Sequence, residues 1–152
     1  MIYKIAAISP IDGRYRDKSE ELADFFSEYA LMRYRLIAEI EWFKLLAAHE
    51  EIDEIPELSE QAKIFLSRLV DNFGEQQAIQ IKTIEKTTQH DVKALEYYIV
   101  SQVQAIPELA RLSNFFHFAC TSEDINSTAY GMMFITAAGN ACCLVCIASE
   151  AA

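Results

Sequence analysis

Apolar residues return at helical spacing along most of the chain, and little interrupts them. Met32, Leu36, Ile40, Phe43 and Ala47 make one stripe, Ala62, Leu66, Leu69 and Phe73 a second, and Val92, Leu95, Ile99 and Val103 a third. Steps of three and four residues put each set on one face of a helix. Only 4 glycines and 3 prolines punctuate the 152 residues, too few for a strand-and-turn protein. Hydrophobic residues make up 52% and charged residues 24%, so the chain has material for a real core. The expected fold class is all-α, with roughly five to seven helices in one unit.

The breaks fall where turn chemistry puts them. "SPIDGRY" sets Pro10 and Gly13 around Asp12, and Arg14 and Tyr15 follow directly. Ser19 reads as an N-cap before Glu20 and Glu21, a longer helix starts near Ser27, and Ser59 reads as the next cap. Pro56, Gly74 and Pro107 mark further boundaries, with residues 75–86 helical and a short helix opening at Pro107. There is no internal repeat, low-complexity tract or linker.

The formal charge is −10, from 23 acidic and 13 basic residues, which argues against nucleic acid as the main partner. A small anionic ligand is still allowed, because a local cluster of donors overrides the global sign. The opening "MIYKIAAISP" has too short an apolar run for a secretory signal. Cys120, Cys142, Cys143 and Cys146 crowd one end instead of spreading as a disulfide framework, which fits a reducing, cytoplasmic setting. Cys142-Cys143-x-x-Cys146 resembles half a metal site but lacks a fourth ligand at suitable spacing, so small buried residues and no metal are expected. No charged residue occurs from Ile125 to Ser149, yet Asn126-Ser127-Thr128 and Gly139-Asn140 interrupt that run. A helix buried in protein or in an oligomer is expected there, not a membrane span.

"TTQHD" and "CTSED" share a grammar. Thr88-x-x-Asp91 and Thr121-x-x-Asp124 both fit a capping box, in which the threonine accepts from the third N–H and the aspartate reaches back. Capping leaves Gln89, His90 and Ser122 unexplained. They sit in a first turn, where free N–H groups and the positive dipole end favour an anion, and a histidine there can donate as well as accept. With the Arg14-Tyr15 pair, these donors could grip a ligand that carries several negative groups.

The stretches "SPIDGRYRDK", "FSEYALMRYRLIAEIEWFKLLAAHEEI", "IKTIEKTTQHDVKALEYY" and "IPELARLSNFFHFACTSEDINSTAYGMM" occur in an order that resembles the N-terminal part of the bacterial-type adenylosuccinate lyases, in the fumarase/aspartase superfamily, over about residues 7–136. The resemblance implies an N-terminal helical domain over 1–120 and the start of a central helix-bundle domain over 121–152. It implies β-elimination of fumarate from adenylosuccinate and from the succinyl-carboxamide imidazole ribotide of purine synthesis. No metal or organic cofactor takes part, and the family's pocket is assembled in a homotetramer. Arg14 and Tyr15 would contact the phosphate end. Gln89 (often Asn in the family), His90 and Asp91 would line the pocket, with His90 assisting catalysis, and Thr121 and Ser122 would hold a succinyl carboxylate.

From about residue 137 the sequence "AAGNACCLVCIASEAA" departs from the family. The family's general-acid histidine and its serine loop, which supplies the base, have no match in these residues, and His49 and His117 do not stand in the matching context. Half a pocket without a complete acid/base pair is therefore expected, and the chain alone should be inactive. A truncated gene product, a frameshifted tail and a processed fragment all fit. The competing reading is a non-catalytic helical module that binds nucleotide or serves assembly. Argininosuccinate lyase and aspartase fit less well, because "SPIDGRY" with "TTQHDVKA" goes with the purine enzyme.

Overall fold

The computed structural model describes residues 7–150, with side chains through residue 140. Every regular element among them is helical. A turn over residues 9–15, closed by the Gly13 N–H on the Ser9 carbonyl and the Tyr15 N–H on the Pro10 carbonyl, leads into α1 (Arg16–Ser19). A 3-10 turn (Glu20–Leu22) and α2 (Ala23–Phe26) precede the long α3 (Glu28–Ala47). Then come α4 (Glu60–Asp71), α5 (Glu75–Thr88), α6 (Asp91–Val103), α7 (Pro107–Arg111), a 3-10 turn (Ser113–Phe115) and α8 (Ser122–Glu150).

Helix α3 is the centre of the packing, and it is buried on several sides at once. Leu36, Ile40 and Phe43 join Leu66 of α4, Ile81 of α5 and Leu95 and Ile99 of α6 in the main core. Ala30 and Tyr34 meet Ala129 and Met133 of α8, while Ala38 meets Val92 and Ile125. A helix apolar around most of its circumference can only be a central one, and each fully buried large side chain stabilises the fold by about 1.5–3 kcal/mol. All three sequence stripes lie inward, Leu69 only partly. The apolar face of α8 is split. Ile125 and Met133 are buried against α3, whereas Phe134 and Ile135 are exposed, with the Phe134 ring centroid 5.4 Å from that of Phe26. No helix among the described residues is long and apolar enough to cross a membrane.

The expected caps hold at Ser27 and Ser59, whose hydroxyls accept the Ala30 and Ala62 N–H groups at 3.1 and 3.2 Å. Gly74 caps α5, and the Gln77 side chain returns to its N–H. Ser19 does not cap. The helix has already begun at Arg16, straight after the glycine turn, so the Ser19 hydroxyl donates backwards to the Tyr15 carbonyl. Cys120 is a half-buried free thiol, its pKa pushed up by burial and by Glu39 and Asp124. The side chains of Cys142, Cys143 and Cys146 lie outside the described residues.

One face of α3 also holds the loop that leads into α8. Phe43 stacks on Phe116 with centroids 4.2 Å apart, and the Trp42 indole donates to the Phe118 carbonyl at 2.8 Å. Glu39, fully buried, pairs with His117 Nδ1 at 2.6 Å, and its other oxygen has no hydrogen-bond partner among the described residues. His117 and Ala119 both take left-handed backbone angles, with φ of 60° and 59°. Such angles are unfavourable for side chains with a Cβ and persist only where packing imposes them.

Burial raises the Glu39 carboxyl above its ordinary 4.5, against the opposing pull of His117 and with Glu96 adding to the rise. The native state therefore holds this proton over a window that begins near pH 4.5, in which the unfolded chain releases it. Stability should fall as pH rises through that window and level off above the folded value. The Glu39→Gln chain should lack this decline. Denaturant unfolding of both chains at a series of pH values checks it; parallel profiles would remove Glu39 as the cause.

Candidate active-site half

The joint between α5 and α6 is two residues long, Gln89 and His90. Gln89 turns left-handed, with φ 52° and ψ 29°, and closes α5 through its N–H on the Glu85 carbonyl. His90 returns to extended backbone and becomes the N-cap of α6, its Nδ1 accepting the Lys93 N–H at 3.1 Å. The capping box expected at Thr88-x-x-Asp91 is therefore absent. Thr88 is the last residue of α5, and its hydroxyl donates to the His90 carbonyl across the joint. Asp91 turns instead to its own helix and to α3. Its Oδ1 accepts the Val92 N–H at 2.9 Å, and its Oδ2 meets Arg35 Nη2 at 2.7 Å. Burial alone would raise the Asp91 pKa, but the Val92 N–H and the Arg35 guanidinium outweigh it and hold the carboxyl below its ordinary value.

Because His90 Nδ1 accepts, the proton of the neutral ring is placed on Nε2 by the hydrogen-bond pattern. That leaves Nε2–H as a donor from a half-exposed side chain. A cavity of about 330 Å³ lies here, lined by Gln89, His90, Asp91, Arg35, Glu28 and Glu85 among others. Its edge is fastened by Lys82, which bridges Glu28 at 2.7 Å and Glu85 at 2.8 Å.

The second helix start forms as expected. The Thr121 N–H donates to Asp124 Oδ2 at 2.7 Å, and the Asp124 N–H donates to Thr121 Oγ1 at 3.3 Å. The Thr121 hydroxyl also donates to that carboxylate, at 2.8 Å. These bonds from Thr121 depress the Asp124 pKa. They also occupy the threonine, so Ser122, half-buried in the first turn of α8, offers the hydroxyl that has no hydrogen bond among the described residues.

Arg35 joins the two starts, and the sequence reading missed it. Its side chain is only 8% exposed; Nη2 holds Asp91, and Nε donates to Asn126 Oδ1 at 2.8 Å, one turn into α8. Asn126 gives its amide N–H to Glu123 at 3.0 Å, which fixes its orientation. The available signal was two charged residues four apart, Arg35 and Glu39, inside an otherwise apolar stripe. Arg14 and Tyr15 stand elsewhere. They pair with each other, Arg14 Nη2 at 2.6 Å from the tyrosine hydroxyl and the guanidinium 4.5 Å from the ring centroid. Among the described residues neither lines the cavity beside His90. No group of three or more metal-ligating side chains occurs among the described residues.

The described unit is all-helical, with a donor-bearing start on each of two helices. The chain belongs to the lyase family, which residues 13–141 match. It is 50% identical over 129 residues to the adenylosuccinate lyase of Vibrio cholerae serotype O1, which covers 85% of this chain and 28% of the relative. The adenylosuccinate lyase of Legionella pneumophila strain Corby is 54% identical over 127 residues, 84% of this chain and 28% of the relative. That of Escherichia coli K12 is 49% identical over 133 residues, 88% of this chain and 29% of the relative. The chain thus spans little more than a quarter of the length of these relatives.

The left-handed joint makes a stability prediction. Gln89→Gly removes the Cβ that the left-handed conformation crowds, at a cost in chain entropy. Its folded state should gain roughly 0.5–1 kcal/mol, as Gly does where φ is positive. Urea unfolding checks the sign, and a loss of stability would mean that the amide side chain itself holds the joint.

Proposed function

We propose that this chain is the N-terminal part of an adenylosuccinate lyase, and that its two helix starts grip the substrate of a β-elimination. The substrates would be adenylosuccinate and the succinyl-carboxamide imidazole ribotide, each yielding fumarate. In this reaction a base takes the proton beside a carboxylate, the C–N bond breaks with its electrons going to nitrogen, and an acid protonates the leaving nitrogen. The residues of this chain would bind and orient. His90 Nε2–H would donate to one anionic group, the Ser122 hydroxyl and the free N–H groups of the first turn of α8 would hold a carboxylate, and Gln89 and Asp91 would complete the wall. Arg14 and Tyr15 would take the phosphate end, which requires the pair to meet a surface beyond the cavity that His90 lines.

The observation that carries this reading is that one buried arginine, on Asp91 and Asn126, joins the two helices whose starts bear His90 and Ser122, since a substrate with two carboxylates and a phosphate needs donors from more than one element. By the family resemblance, the acid and the base belong to residues beyond these 152, on a central helix bundle that begins with α8. A homotetramer in the cytoplasm belongs to the same reading.

His90 caps α6, so His90→Ala would remove a cap worth about 0.5–2 kcal/mol along with the donor. His90→Asn keeps an acceptor for the Lys93 N–H and isolates the donor. Loss of a hydrogen bond to a charged group is worth about 1.5–3 kcal/mol, so His90→Asn should weaken adenylosuccinate binding by roughly ten- to over a hundredfold with little change in melting. Calorimetric titration of the two chains measures this; equal affinities would reject the assignment of His90.

The chain alone should leave adenylosuccinate intact, since an acid and a base each contribute about a hundredfold or more to such a step. Ultraviolet absorbance of adenylosuccinate against a protein-free control reads this directly. Release of fumarate above the control would mean that the chemistry is carried by residues already present here.

A further inference from the structure

We propose that Arg35 is the positioning residue of this site: it locks the His90 helix start and the Ser122 helix start into one body and so sets the spacing of the donors on each. The proposal rests on the reading of these two starts as substrate-binding elements, and it adds the part that neither start supplies. Its partners are specific to them. Nε and Nη2 are neighbours on one edge of the guanidinium, the edge that ordinarily grips a single carboxylate with two parallel N–H groups. Here that edge is divided, Nη2 going to Asp91 at 2.7 Å and Nε to Asn126 at 2.8 Å. The planar fork holds the two acceptors side by side, so the first turns of α6 and α8 cannot slide past each other without breaking one bond.

Burial makes the arrangement stiff. Arg35 is 6% exposed, so a lost partner is not readily replaced by water. Its helix leaves it little freedom, since Tyr34 and Leu36 on either side are in the core. A lysine at this position would keep the charge but not the fork, because an ammonium is a point charge that selects no pair of directions.

The test reads coupling, which a residue that merely stabilised α3 would not produce. Amide hydrogen exchange is measured on the whole 152-residue chain without ligand, at Lys93 and Ala94 in α6 and at Asp124 and Ile125 in α8, with Ile99 and Val103 as the reference for global opening. In Asn126→Ala, exchange at Lys93 and Ala94 should rise about fivefold, the size of an ordinary coupling within one hydrogen-bond network. Asn126 has no hydrogen bond with either residue, and Arg35 is its polar link to α6; the apolar link, Val92 with Ile125 on Ala38, is left unchanged by the substitution. In Arg35→Lys both helix starts should loosen while the reference amides hold. If Arg35→Lys opens the whole chain, the Asn126→Ala result decides. A rise confined to α8 in Asn126→Ala, or unchanged exchange at both starts in Arg35→Lys, overturns the proposal. A second arm titrates adenylosuccinate, where Ser122→Ala should cost less affinity in the Arg35→Lys chain than in the parent. Absence of binding to the parent chain would count against the proposed substrate, while the ligand-free exchange would still decide the role of Arg35.

Discussion

A buried guanidinium is the constraint around which the two helix starts are arranged. A charge taken out of water must be paired nearly in full, and removing one partner of a buried pair costs about 3–5 kcal/mol. Arg35 meets that demand with one charged and one neutral acceptor, each from a different helix. The Val92 N–H and the Arg35 guanidinium together hold the Asp91 carboxyl below its ordinary value, and Thr88 bonds the His90 carbonyl instead. Asn126, fixed at its other end by Glu123, ties α8 to the same point.

The rest of that face of α3 serves the same geometry. Glu39 lies one turn beyond Arg35, and Trp42 and Phe43 lie one turn further still. Together they grip the loop of Phe116, His117 and Phe118, which turns twice through left-handed backbone before delivering Thr121. Each left-handed residue with a Cβ raises the energy by about 1 kcal/mol or more. The ring stack, the indole bond and the buried acid–imidazole pair offset this, and they leave the entrance to α8 a defined direction. Phe43 and Phe116 also belong to the main core, so one helix carries packing and positioning together.

Much of the fold was legible in the sequence because helical periodicity is a local property. The stripes at Met32–Ala47, Ala62–Phe73 and Val92–Val103 all turned inward, and Ser27, Ser59 and Thr121 begin helices where their residue types predict. Thr88 misled because the joint turns on a single left-handed residue: a chain that bends at Gln89 moves the cap to His90, two positions on, and no periodicity records that. Arg35, Glu39 and Asn126 were illegible for a different reason. Spacing tells which face a residue occupies but not what the face meets, and each of these three acts through a partner far along the chain. The family likeness supplied roles for Gln89, His90, Asp91, Thr121 and Ser122; the structure adds that Thr121 is occupied as a cap while Ser122 is not.

The bond between Arg35 and Asn126 spans 91 residues of chain. Closing so long a loop is slow in folding, because its entropy is lost before the contact forms. A growing polypeptide would release α3 well before α8 exists, with the arginine still solvated and the packing that Ala129 and Met133 give to Ala30 and Tyr34 still missing. Local helices and the α5–α6 hairpin form without that delay. The bond between α3 and α8 therefore forms after the helices themselves, and a nascent chain displays its local helices before those two are joined.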